Sequence, residues 1–102
     1  MKEIREIARN IREELHDAEK YIDLALASKT DYPDIADMYY TLSKEELGHA
    51  HKLHSGAVKL IDKMKDARRV PETMMDIWNF EHEMLTRDEM DVKRKMEHYQ
   101  SM

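Results

Sequence analysis

The chain has 102 residues, one domain in size and barely long enough to bury a core alone. Its 17 Lys+Arg against 22 Asp+Glu give a formal charge of −5, a poor balance for nucleic-acid binding, and no apolar run of about twenty residues offers a membrane span. The absence of cysteine excludes a disulfide framework, a thiolate metal site and a cysteine nucleophile, and two glycines with two prolines supply few of the turns that strands require.

The expectation is therefore a small all-α protein that self-associates. The charged opening residues do not resemble a signal peptide, which makes the expected localisation cytoplasmic. Two places punctuate the chain, Ser28-Lys29-Thr30-Asp31-Tyr32-Pro33 and Asp66-Ala67-Arg68-Arg69-Val70-Pro71-Glu72. Each carries a proline suited to a first helical turn, where no N–H is needed. Three helices are expected, over about 2–28, 33–65 and 71–100, in one domain covering 1–102. The short connections predict that sequential helices pack antiparallel.

Helix 1 gathers Ile4, Ile7, Ile11, Leu15, Ala18, Ile22, Ala25 and Leu26 on one stripe. Glu14 stands at the edge of that stripe, about 60° from Ile11. In helix 2 an apolar arc centred on Leu42 takes in Ile35, Met38, Tyr39, Leu53, Gly56, Ala57, Leu60 and Met64. Glu46 and His49 fall inside that arc, at about +40° and −20°, and point inward on this reading. Helix 3 gathers Met74, Ile77, Trp78, Met84, Leu85, Val92, Met96 and Tyr99, with Glu81 and Asp88 near the centre of the stripe.

A carboxylate or imidazole turned toward a core needs a partner, and a metal ion is an economical one. Glu-x-x-His occurs twice, at Glu13/His16 and Glu46/His49. The first pair faces away from Ile11 and reads as surface, so the second carries the signal. A two-metal carboxylate site in a four-helix bundle takes one Glu from each of two helices and Glu-x-x-His from each of the other two. This chain supplies Glu14, Glu46 and His49, which is half of such a site, and a two-fold homodimer or higher homo-oligomer would complete it.

The helix 1 string Glu13-Glu14-Leu15-His16-Asp17-Ala18-Glu19-Lys20-Tyr21 resembles the first helix of ferritin-like proteins. The string Ser43-Lys44-Glu45-Glu46-Leu47-Gly48-His49-Ala50 resembles their Glu-x-x-His helix. The likeness spans residues 4–64 and is nearest to the half-length, encapsulated-ferritin type, in which two chains share one di-iron ferroxidase centre. The resemblance implies Glu14, Glu46 and His49 as metal ligands and Tyr21 as a tyrosine beside the metal, able to hydrogen-bond a ligand carboxylate. It further implies oxidation of Fe(II) by dioxygen or peroxide, for iron storage or detoxification. Where the family has an acid and a tryptophan in its outer metal-entry site, this chain has His16 and Lys20, beside Glu13. The ending His98-Tyr99-Gln100-Ser101-Met102 lacks the family's shell-addressing tail, so an encapsulin partner is not expected.

The donor set itself, hard carboxylates with a borderline imidazole, suits iron or manganese, and zinc or calcium fit the same positions. A rubrerythrin-type peroxidase would normally add a cysteine-ligated electron-transfer domain, and the missing cysteines favour ferroxidase. The competing readings are a non-catalytic helical interaction module whose Glu46 and His49 form a structural ion pair, and metal binding without turnover. Glu14 also reads as a snorkelling surface acid, and Tyr21, Tyr39 and Tyr40 as packing residues. Glu81 and Asp88 meet either water, another subunit or a metal path. His51, His54, His82 and His98 read as surface, Arg68-Arg69 as a solvated loop, and the nine methionines as adaptable core.

Overall fold

The structure, a computed structural model, describes residues 2–68 and 70–102. It contains three helices, α1 (Lys2–Ser28), α2 (Pro33–Asp66) and α3 (Glu72–Ser101), and no strand among the described residues. None of these helices is long and apolar enough to cross a membrane. The molecule measures 55 × 18 × 17 Å, the long dimension being set by the 34 residues of α2.

The helix ends follow local chemistry. Pro33 opens α2 with Asp34 in the first turn, and Lys63 and Lys65 occupy the last, each complementing the helix dipole. Pro71 is itself extended, with ψ of 140°, so α3 starts one residue later than the sequence suggests. The Pro71 carbonyl accepts bonds from the N–H groups of Met74 and Met75. At the other end of α2, Arg68 takes a φ of 54°, the left-handed conformation that closes many helices and that glycine adopts most cheaply. Of the expected Arg68-Arg69 loop, Arg69 lies outside the described residues.

The core lines repeat at alternating steps of three and four residues. On α1 they are Ile4, Ala8, Ile11, Leu15, Ala18, Ile22 and Ala25. On α2 the buried residues are Ala36, Ser43, Leu47, Ala50, Ala57, Ile61 and Met64. This corrects the expected α2 stripe: the buried line is turned by one residue, about 100°, from the arc centred on Leu42. Ile35 and Met38 are each 46% exposed, and Leu42 and Leu53 only half-buried. The physical reason is the size of the side chains. Ala18 and Ala25 on α1 meet a line of α2 rich in alanine and serine, and small residues let two helix backbones approach closely. Ile35 and Met38, with parts of Leu42 and Leu53, are left on a second, open face.

α3 lays Met74, Trp78, Leu85, Val92, Met96 and Tyr99 against the α1–α2 pair. Ile77 and Met84, expected on this stripe, are exposed instead. Glu81 is half-buried and pairs with Arg12 of α1, while Asp88 is exposed. Farther along, Lys95 reaches Asp23 at 2.8 Å and Glu19 at 4.0 Å. Glu81, Asp88 and Lys95 share one line at seven-residue spacing, and the first and last of them join α3 to α1 through charge pairs.

Candidate metal centre

Cross-helix contacts set the register of the site. Ser43 Oγ donates a 2.6 Å hydrogen bond to the carbonyl of Ala18, and the rings of Tyr21 and Tyr39 stack with centroids 6.2 Å apart. One helical turn beyond the Ser43–Ala18 bond, the same register brings Glu14 of α1 beside Glu46 and His49 of α2. One donor atom from each of the three lies within 4.8 Å of the others. His49 Nδ1 is 3.5 Å from Glu14 Oε2 and 3.7 Å from Glu46 Oε2.

The carboxylates are more sheltered than the imidazole. The side chains of Glu46 and Glu14 are 20% and 28% exposed, and that of His49 is 54% exposed. The inward orientation expected of His49 is therefore corrected, its ring lying at the rim of the open α2 face because the buried line of α2 runs through Ser43, Leu47 and Ala50, while Glu46 is part-buried beside Glu14. Glu14 Oε2 is buried and has no hydrogen-bond partner. The neighbouring Glu14 carboxylate, which favours a proton on Glu46, together with burial raises the Glu46 carboxyl to about 7, against the opposing pull of His49. Two carboxylates this close resist ionising together without a cation between them.

An orphaned buried carboxylate oxygen, a second carboxylate that holds its proton, and an imidazole at their mouth fit a divalent cation. Among the described residues, this is the one such group of three or more donors drawn together.

Tyr21 is half-buried two turns from Glu14, its ring against Tyr39 and its face near the ammonium of Lys20. Its visible contacts are aromatic. Glu13 and His16 are exposed on the far side of α1, where with Arg12 and Asp17 they line an open groove. His98 is likewise exposed.

Of the histidines read from sequence as surface, His51 and His82 are exposed as expected, but they gather with a third, His54, which is not. His54 is half-buried, with its ring centroid 5.0 Å from that of His82 and 6.0 Å from that of Trp78. Burial and the neighbouring His82 hold His54 below its ordinary range. His51 Nε2 hydrogen-bonds Glu89. Burial pushes Glu89 up, but hydrogen bonds from His51 and Lys93 outweigh it and leave the carboxyl below its ordinary range. A signal was available: His54 lies seven residues from both Leu47 and Ile61, on a line that α2 buries. The chain matches no protein-family model, no curated protein and no solved structure.

Proposed function

We propose that the protein is a ferritin-like half domain that pairs as a homodimer and oxidises Fe(II) at a two-metal centre shared between chains. The observation that carries this reading is Glu14 Oε2, a buried carboxylate oxygen that accepts no hydrogen bond and faces Glu46 and His49. The open face of α2 supports the dimer, because Ile35 and Met38 are exposed on it and Leu42, one turn from Glu46, is only half-buried. A two-fold axis through that face would add a second Glu14, Glu46 and His49 and complete six donors. The contacts Ala18–Ser43 and Tyr21–Tyr39 on one side, and Asp37–Tyr99 and His51–Glu89 on the other, support an antiparallel course for consecutive helices.

Two ferrous ions, taken as substrate, would each give one electron to dioxygen, which with two protons becomes hydrogen peroxide. With peroxide as oxidant, the same two electrons and two protons yield water. Glu14 and Glu46 would hold the cations and neutralise their charge, and His49 would supply the nitrogen donor at the solvent side. The proton that Glu46 holds leaves when a cation binds. Tyr21 would orient a ligand carboxylate through its hydroxyl. Manganese or zinc would occupy the same donors without this turnover.

One observation favours the rival reading of a helical interaction module without turnover. His49 lies near both carboxylates and, when protonated, neutralises part of their charge within the chain. Anaerobic titration with Fe(II) followed by air separates the two. The ferroxidase reading expects close to one Fe(II) per chain and a diferric absorption band after oxygen. A chain that binds no iron, or whose bound iron stays ferrous in air, supports the rival.

A further inference from the structure

The cluster of His51, His54, His82 and Glu89 lies between α2 and α3, apart from the Glu14 centre. The four side chains share a cavity of about 140 Å³ whose apolar wall includes Leu15 and Leu85. His51 and His54 are three apart on α2 and so project side by side, and His82 approaches them from α3. Glu89 bonds Nε2 of His51, which leaves Nδ1 as the nitrogen with a lone pair to offer. A carboxylate behind an imidazole is the arrangement that fixes the ring of a metal-ligating histidine.

We infer that this cluster is a second, imidazole-rich metal site, with His51, His54 and His82 as donors, Glu89 as the residue that positions His51, and a zinc-class divalent ion as ligand. Three imidazoles make a softer donor set than the Glu14 centre and select zinc, cobalt, nickel or copper over iron and manganese. The rings are not drawn around one point as the Glu14 group is. His82 is exposed, and rotation between staggered side-chain wells moves its nitrogens toward His51 and His54 at small cost. Aromatic packing accounts for the stack of His54 on Trp78, while the His51–Glu89 pair both ties α2 to α3 and holds the His51 ring at the cavity.

The test uses the single tryptophan as reporter. Trp78 lies 6.0 Å from both the His54 and the His82 ring, so a paramagnetic ion bound there quenches it. Co²⁺ added to the full chain should give saturable quenching, reversed by Zn²⁺ and not by equal Mg²⁺. His82→Ala, at an exposed position, should weaken Co²⁺ binding at least about tenfold, as loss of a metal ligand does, while Glu46→Ala leaves the quenching intact. Because His82 also touches Trp78, His51→Ala serves as a second variant with the reporter's ring contacts unchanged, and it should weaken binding as well. Quenching curves for His82→Ala and His51→Ala that superimpose on the parent's would overturn the inference. Loss of quenching in Glu46→Ala would assign the ion to the Glu14 centre and overturn it equally.

Discussion

Ser43 Oγ donates its hydrogen bond to the carbonyl oxygen of Ala18 at 2.6 Å, at a point where α1 and α2 are both buried. Glu14 lies one turn from Ala18 on α1, and Glu46 one turn from Ser43 on α2. The bond therefore ties the register of the two helices to the separation of the two carboxylates. Ser43→Ala should cost about 0.5–1.5 kcal/mol in urea unfolding, the net worth of one buried hydrogen bond, with the metal centre retained. Ser43→Leu should force the backbones apart, cost about 1–3 kcal/mol and weaken metal binding as well. Equal metal affinity in the leucine variant and the parent would refute the link between this seam and the site.

The two Glu-x-x-His pairs offer an internal control. Glu46→Ala and Glu14→Ala should abolish stoichiometric Fe(II) binding, a larger loss than the about 10–100-fold that follows removal of an outer-shell partner. Glu13→Ala and His16→Ala, on the exposed side of α1, should bind iron as the parent does. The measurement is anaerobic Fe(II) titration, and an equal loss from both sets of variants would dissolve the distinction between the faces.

The open face of α2 can be tested with every ligand left in place. Met38, exposed on the same helix about two turns from Glu46, becomes charged in Met38→Glu. The expected result is a folded monomer by light scattering and circular dichroism that no longer binds two ions per pair of chains, because each chain holds half of the donors. A Met38→Glu chain that binds and oxidises iron as a monomer would show the site to be complete within one chain.

The metal-free protein should carry a pH signature from Glu46. Its folded value of about 7 stands above the ordinary 4.5, so the folded state holds the extra proton between these values. That contribution to stability is full below about 4.5 and lost as pH rises through about 7. His54, held below its ordinary value by burial and by His82, works in the opposite direction near its own titration. The contrast between the parent and Glu46→Gln isolates the Glu46 part. From pH 5.5 to pH 7.5 the parent's urea midpoint should fall relative to that of Glu46→Gln, and parallel midpoints across this range would contradict the carboxyl pair.

Arg68 closes α2 with a positive φ, in a conformation that costs a side-chain-bearing residue about 1–2 kcal/mol. Arg68→Gly removes that cost and gives back part of it through the greater freedom of glycine in the unfolded chain. The expected net gain is about 0.5–1 kcal/mol in thermal or urea unfolding, with iron binding unchanged. A loss of stability would place Arg68 among residues held by side-chain contacts rather than by its backbone role.

The helices are readable in the residues because local chemistry suffices for them. Pro33 and Pro71 mark where α2 and α3 begin, and helix-forming residues fill the stretches between. That Glu14, Glu46 and His49 stand out is readable for a related reason: a periodic pattern assigns polar groups to faces, and two of these break an apolar arc. The choice among faces is a different matter. α2 carries one line of large aliphatic residues through Leu42 and another through Ser43 in which Ala36, Ala50 and Ala57 alternate with Leu47, Ile61 and Met64. Close approach of two backbones favours the second, and that preference exists only when α1 brings Ala18 and Ala25 to meet it. The same docking turns His49 to a rim, leaves Glu14 Oε2 without a hydrogen bond and gathers His51, His54 and His82 beside Trp78. Each of these is a distance between helices, and such distances arise from packing rather than from the periodicity of any one segment.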